Sequence, residues 1–276
     1  MQLQISPQIA SLTIWADAWN LLSWDSSLGL ALSIIVGSIL GSFANVVIHR
    51  LPSGKSLIKP ASHCPSCGQS IPFYLNVPFF SYFFLKGKAS CCGTPLSPRY
   101  PIVELLCALI LGSLYILEGW SASFGFLGIW MMLLIILAAI DIEHYRLPNA
   151  LVGFGLLVSF AWMIISPQQS WLQALLGLMV GIVIAGLTML IGKVMKGRFS
   201  GMGDLKLAAV LGFTFGPGRF IILYLCAVLF AVFFSLLFYR RVKDLRVPMG
   251  PFFAIGAWMT ILAGREIVQW YLGFIY

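Results

Sequence analysis

The 276-residue chain is predicted to be an all-α, polytopic membrane protein of about eight transmembrane helices, with a cytoplasmic cysteine-containing loop domain after the first helix. Three observations predict this class. Hydrophobic residues make up 60% of the chain and charged residues only 9%, against about 25% charged in soluble domains. The apolar residues fall in long unbroken runs, close to the roughly 20 residues that a span requires, and they do not alternate as barrel strands would. The basic residues are confined to the connections between those runs. The shortage of polar surface excludes a water-soluble enzyme, and the hydrophobicity excludes disorder.

The elements follow in order. Residues 1–26 form an extracytoplasmic N-terminal segment with Asp17 and Asp25 but no Lys or Arg, so no secretory signal peptide is assigned. Within it, 9–24 is apolar enough to lie on a membrane surface. Residues 27–49 form the first span, and 50–100 the cytoplasmic loop domain. Residues 101–276 form a seven-helix membrane domain with spans near 101–118, 121–141, 148–166, 171–194, 204–216, 218–239 and 250–272. The sixth is the shortest. No internal repeat stands out.

The positive-inside rule orients these spans. Fifteen of the seventeen Lys and Arg residues fall on one side: six in 50–100, Arg146, four around 193–206 and four in 240–246. Only Arg219 and Arg265 fall on the other. The loop domain is therefore cytoplasmic and both termini face outward. The net charge of +8 belongs to these loops, and nucleic acid is not an expected partner, because a nucleic-acid binder gathers its basic residues on one folded polar face.

The loop of about fifty residues is too small for a large core of its own, so a staple is expected. Four of the six cysteines lie in it: Cys64, Cys67, Cys91 and Cys92. A reducing compartment favours metal over disulfides. Cys64-Pro65-Ser66-Cys67-Gly68 has the shape of a zinc knuckle, and zinc takes four tetrahedral N or S ligands. The second half, Ala89-Ser90-Cys91-Cys92-Gly93, has adjacent cysteines instead of a CxxC. His63 is an alternative fourth ligand, and a reduced, metal-free thiol loop is the alternative to zinc. Cys107 and Cys226 lie inside apolar runs and read as small buried residues.

Of the nine acidic residues, Glu118, Asp244 and Glu266 fall in loops or near span ends. Glu104 falls in the first turn of the second span, where it would complement the helix dipole. Asp141 ends the apolar run 131–140 and Asp204 opens the next after Gly201-Met202-Gly203, both on the cytoplasmic side. Ionisable groups at such positions are candidates for function. Two carboxylates converging from separate helices are what aspartic proteolysis requires: a proton is shared, one group acts as base toward water, and the other polarises the scissile carbonyl. Gly201 and Gly203 would let an extended substrate backbone approach closely. Leu147-Pro148-Asn149 breaks the chain past Asp141, which is expected to leave Asp141 at a helix end, open to water. If the helix persisted, Glu143 would point to another face. Solvated or Arg- and Lys-paired aspartates are the bland alternative.

These residues resemble a known family. Gly201-Met202-Gly203-Asp204 looks like the GxGD of membrane aspartic proteases, and the order of motifs is similar to bacterial type IV prepilin peptidases, the prepilin leader peptidase/N-methyltransferases. Residues 41–52 (GSFANVVIHRLP), Cys64–Cys67, residues 97–104 (SPRYPIVE), residues 141–149 (DIEHYRLPN) and residues 248–252 (PMGPF) match the family's motifs in order across roughly 38–260. The resemblance implies a multi-pass protein of the bacterial inner (cytoplasmic) membrane. Its catalytic pair falls on Asp141 and Asp204. Its partners are the lipid bilayer and prepilin and pseudopilin precursors, cut after a Gly at the cytoplasmic face. Its methyl donor is S-adenosylmethionine, with no site residue placed. Its loop module implies structural zinc, with one departure: Ala89 stands where the family has the first cysteine of the second CxxC, and Cys91 would substitute. A basic leader would find Glu104 or Glu143.

Two other readings compete. A transporter would use Asp141, Glu143 and Asp204 to bind a cation, but it would place them near the midplane and often carry inverted repeats. A zinc-stapled scaffold would not need the aspartates at all.

Overall fold

The computed structural model describes residues 26–59, 63–64, 66–72, 80–166, 170–196, 201–238 and 247–273. The N-terminal segment with Asp17 and Asp25, and the connections carrying Arg198, Arg240, Arg241, Lys243, Asp244 and Arg246, lie outside these residues, as do the side chains of Lys196, Arg265 and Glu266.

The elements are α1 Ser26–Arg50, α2 Phe80–Phe84, α3 Arg99–Glu118, α4 Ala122–His144, α5 Asn149–Ile165, α6 Trp171–Lys196, α7 Met202–Phe238 and α8 Gly250–Gly273. Among the described residues there is no strand, only the isolated bridges His63 with Ser70 and Lys88 with Pro95. Among the described residues, five helical stretches are long and apolar enough to cross a membrane: Ser27–Arg50, Arg99–Glu118, Ala122–His144, Trp171–Lys193 and Met202–Leu237. Asn149–Ile165 and Gly250–Ala263 are apolar but shorter.

The segments expected at 204–216 and 218–239 are the two legs of α7. The helix breaks at Gly216, with φ 74° and ψ 171°, and Pro217 opens the second leg. Gly can take this left-handed φ without a Cβ clash, and Pro supplies no N–H to continue the first leg, so a Gly-Pro pair ends one helix and starts another.

α3 begins at Arg99, two residues earlier than expected, with Pro98 at its N-cap and Pro101 inside its first turn. Proline is tolerated there because the first N–H groups of a helix have no partner. The earlier start moves Glu104 out of the first turn. It is buried, not dipole-bound at the helix mouth.

The chain forms two compact units, one from Met1–Asn45 and Ile58–Ile129, the other from Val46–Leu57 and Trp130–Tyr276. Both are assembled through small residues. Lipid is as apolar as leucine, so membrane helices associate by close packing instead of by the hydrophobic effect. In the first unit, a Cβ on Gly37 would stand 2.6 Å from the Cys107 carbonyl oxygen, and one on Gly41 2.7 Å from Glu104 Cα. These glycines, four apart on α1, let α3 lie against it. In the second unit, Gly177 of α6 and Gly212 of α7 meet backbone to backbone, and a Cβ on either would collide with the other's carbonyl. A Cβ on Gly155 of α5 would press on Trp130 and Leu133 of α4.

Polar groups inside the second unit are matched to one another. Trp130 Nε1 donates to Ser159 Oγ at 3.1 Å, and Ser159 Oγ lies 2.7 Å from Thr214 Oγ1. Thr214 Oγ1 also donates to the Val210 carbonyl. This chain ties α4, α5 and α7 together where water is absent. Opposite such contacts, α6 turns Leu172, Leu175, Met179, Val183, Leu187 and Leu190 outward at helical spacing. In water that stripe would be a liability; in a bilayer it is solvated by acyl chains.

Candidate active site and metal centre

Asp141 sits in the last turn of α4, which continues to His144 before Tyr145 ends it in the left-handed region at φ 52°. The Tyr145 N–H returns to the Asp141 carbonyl at 2.9 Å. The expectation that Asp141 lies open to water is corrected: its residue is 5% exposed. What covers it is the start of α8. The Gly250 N–H donates to Asp141 Oδ2 at 2.7 Å, and the Met249 N–H also faces the carboxylate. Because the helix persists past Asp141, Glu143 lies on another face. It is exposed and 4.0 Å from His144 Nε2.

Asp204 lies in the first turn of α7, and its N–H bonds to the Gly201 carbonyl at 3.0 Å. The segments that carry the two aspartates meet. A Cβ on Gly203 would stand 3.0 Å from Leu147 Cβ, and Lys206 Nζ donates to Asn149 Oδ1 at 3.0 Å. So the Leu147-Pro148-Asn149 turn, six residues past Asp141, packs on the GxGD turn. Four helix ends converge at this end of the unit: the C-terminus of α4 and the N-termini of α5, α7 and α8. Gly203 has a packing reason to be glycine in Leu147. A Cβ on Gly201 would make only ordinary contacts, with Asp204 Oδ2 at 3.7 Å.

Such an arrangement can do acid–base chemistry. Two short carboxylates, one buried against backbone donors and one in the first turn of a helix, stand at helix ends of the same unit. In the sequence, Gly250 stands out only as part of the Pro248–Phe252 motif. Its role was not legible there, because a backbone N–H leaves no mark on a sequence. The signal that could have found it is the run Pro248-Met249-Gly250-Pro251, in which two prolines confine the only glycine to a helix start.

The cysteine loop holds a second convergence. Cys64, Cys67, Cys91 and Cys92 place their four sulfurs within 4.8 Å of one another. Neighbouring separations are 3.6 Å for Cys64–Cys92, 3.3 Å for Cys67–Cys91 and 3.8 Å for Cys91–Cys92. A tetrahedron with Zn–S bonds near 2.3 Å needs sulfurs about 3.8 Å apart. The donor set therefore fits zinc in kind, number and spacing. His63 is not part of the cluster: its backbone pairs with Ser70.

A short internal repeat, invisible in the sequence, organises this cluster. In the first knuckle, His63 bridges Ser70, the Cys64 N–H bonds to the Gln69 carbonyl, and the Gly68 N–H bonds to the Cys64 carbonyl. In the second, Lys88 bridges Pro95, the Ala89 N–H bonds to the Thr94 carbonyl, and the Gly93 N–H bonds to the Ala89 carbonyl. Gly68 and Gly93 close the two turns at φ 73° and 69°, which L side chains resist. Ala89 thus takes the place of Cys64, Cys92 that of Cys67, and Cys91 that of Ser66.

Thiol chemistry in the cluster is uneven. The N–H groups of Cys67 and Ser66 bring the Cys64 thiol down to about 6. Thr94 lowers Cys92. Cys91, beside the Cys67 sulfur and desolvated, is pushed up to about 12. Hydrogen bonds that favour a thiolate also favour a metal-bound sulfur, since the metal takes the deprotonated form.

The bacterial peptidase A24 N-terminal domain matches residues 35–117, and the type IV leader peptidase family matches residues 126–236. The prepilin leader peptidase/N-methyltransferase of Bacillus subtilis is 32% identical over 246 residues, covering 88% of this chain and 98% of that protein. The chain belongs to the type IV leader peptidase family. The family's range carries both Asp141 and Asp204, and the A24 N-terminal range carries the cysteine cluster. Gly250 lies beyond both. The Klebsiella pneumoniae member of the same name is 37% identical over 207 residues, 70% of this chain and 86% of its own. That of Myxococcus xanthus is 35% identical over 179 residues, and this chain spans 53% of its length. No solved structure matches the chain.

Proposed function

We propose that this protein is a membrane aspartic endopeptidase that removes the basic leader of prepilins and pseudopilins after a Gly, with Asp141 and Asp204 as its catalytic pair. The observation that carries the reading is the packing of the Leu147-Pro148-Asn149 turn on the Gly201-to-Asp204 turn, which brings the two aspartate-bearing helix ends to one place. The names of the relatives support it.

The chemistry is hydrolysis by a carboxylate pair that shares one proton. The ionised carboxylate takes a proton from water, and the hydroxyl bonds to the carbonyl carbon of the leader Gly. The protonated carboxyl passes its proton to the carbonyl oxygen, giving a tetrahedral diol. The first group then gives its proton to the amide nitrogen as the C–N bond breaks, and a diol hydroxyl returns a proton to the second. A carboxylic acid and an amine leave, and both aspartates are restored. A pilin precursor is a basic leader joined to a long apolar helix. Held in the bilayer of the inner membrane, it would present its cut site at the cytoplasmic face, the side on which the basic loops would also put the active end.

The relatives' names also support methylation of the new N-terminal residue from S-adenosylmethionine. That donor would supply the methyl group. The described residues mark no place for it, and no step above runs through it. The four loop cysteines would hold a structural zinc, which would lock the loop that a core of this size cannot.

Protein in detergent, incubated with a prepilin, is expected to release a leader ending in Gly. Asp141→Asn and Asp204→Asn should each slow cleavage by at least about 1,000-fold. Near-normal cleavage by either variant overturns the pair and moves suspicion to Glu143. Mass spectrometry of the mature product with and without S-adenosylmethionine reads the methyl transfer separately.

A further inference from the structure

We infer that Gly250 is a positioning residue for the peptidase: its backbone N–H fixes Asp141 through Oδ2 and so sets the direction in which the carboxylate meets the reaction. The inference rests on the peptidase reading and assigns a part to α8 within it.

Three observations carry it. The Gly250 N–H to Asp141 Oδ2 bond is 2.7 Å long and buried. It is one of the N–H groups that every helix leaves without an internal partner at its start, and Pro251 has no N–H to offer in its place. Finally, the approach depends on glycine. A Cβ at position 250 would stand 3.0 Å from Asp141 Cβ, 3.1 Å from Oδ2 and 3.2 Å from Ala138 Cα. Two of those three atoms belong to the very group being held, and the third is backbone that cannot yield.

The geometry has a consequence for the mechanism. An N–H can only donate, so Oδ2 must keep a lone pair turned toward it. The proton that the pair shares therefore does not sit between Oδ2 and Gly250. Oδ2 keeps its second lone pair and Oδ1 keeps both, and the plane in which they meet water and substrate is set once Oδ2 is pinned. A side chain with a free χ2 would lose that aim. Misplacement by about 1 Å costs about 100-fold in rate.

Two variants test this in detergent-purified full-length protein with a prepilin substrate. Gly250→Ala keeps the N–H but adds the Cβ. Glycolic acid built in place of Gly250 keeps the size but exchanges the N–H for an ester oxygen. Both are expected to lower kcat about 100-fold with KM within about twofold of wild type. The ester variant reads the outcome even where Gly250→Ala fails to fold. Wild-type kcat in the ester variant overturns the inference, as does a raised KM with normal kcat, which would make Gly250 part of the substrate site. Wild-type protein in the same assay separates the failures: if it cuts and the variants cut equally well, only the inference falls; if it does not cut, the peptidase reading falls and the inference with it.

Discussion

The cysteine loop and the carboxylate-bearing helix ends both bring separate segments of chain together, but over very different lengths of chain. In the loop, two tight turns do the work, each closed by a glycine at positive φ. The donors are set by hydrogen bonds spanning a handful of residues, such as Cys64 to Gln69. At the helix ends, Asp141 meets Gly250 across 109 residues, and the two aspartates depend on where whole helices pack. Local geometry tolerates an odd spacing such as Cys91-Cys92, because a neighbouring residue can turn in. Long-range geometry has no such slack. It needs glycine where backbones touch, at Gly177, Gly212 and Gly250.

The sharpest way to break this comparison is to exchange the outcomes. Asp204→Asn should abolish cleavage, a loss of at least about 1,000-fold, while leaving zinc content unchanged. Cys64→Ser should do the reverse at the metal. Metal analysis and cleavage on the same preparations check both. If Asp204→Asn also loses its metal, the two regions are not separable in the way proposed.

Next in size is the helix contact. Gly177→Leu drives a side chain into the Gly212 carbonyl and should destabilise the second unit by about 3 kcal/mol. Gly177 packs on the Gly212-to-Gly216 stretch, the end of α7's first leg away from Asp204. A fall in detergent melting temperature with loss of activity, and no loss of metal, is the expected result. Smaller again is Ser159→Ala. It removes the hydroxyl that receives the Trp130 N–H and meets Thr214, and membrane hydrogen bonds of this kind contribute about 1 kcal/mol.

The same contrast explains what the sequence made legible. Apolar run length reveals a helix, so among the described residues helices occupy the expected segments, with the Gly216-Pro217 break between two of them, although five stretches, not eight, are long and apolar enough to cross a membrane. Charged and sulfur-bearing side chains are also visible in a sequence, so Asp141, Asp204 and the four cysteines stood out. What was hidden is contact between groups the alphabet does not show. The burial of Asp141 depends on a backbone N–H from Gly250, and sequence reasoning left it open to water. The earlier start of α3, with Pro98 at the N-cap and Pro101 in the permissive first turn, puts Glu104 beyond the helix mouth, where α1 packs closely on it at Gly41. The loop repeat was hidden because its two halves share turns and hydrogen bonds but hardly any letters.

That repeat gives the last test, and the one with the smallest expected effect. Ala89 occupies the position of Cys64, and Cys91 occupies that of Ser66, yet the Cys91 sulfur lies 3.3 Å from Cys67. If local turns leave room for either register, the ligand can be moved back. Cys91→Ser alone should lose most of its zinc, since three sulfurs no longer close a tetrahedron. The double variant Ala89→Cys with Cys91→Ser should restore one zinc per chain, with cleavage at the wild-type rate. Elemental analysis after chelator challenge distinguishes the two. Full zinc in Cys91→Ser would mean that Cys91 is a bystander and that another group completes the site. A double variant that stays empty would mean that the second turn, with alanine at 89, has settled into a shape from which only residue 91 can reach the metal, and the tolerance ascribed to local geometry would be narrower than the loop suggests.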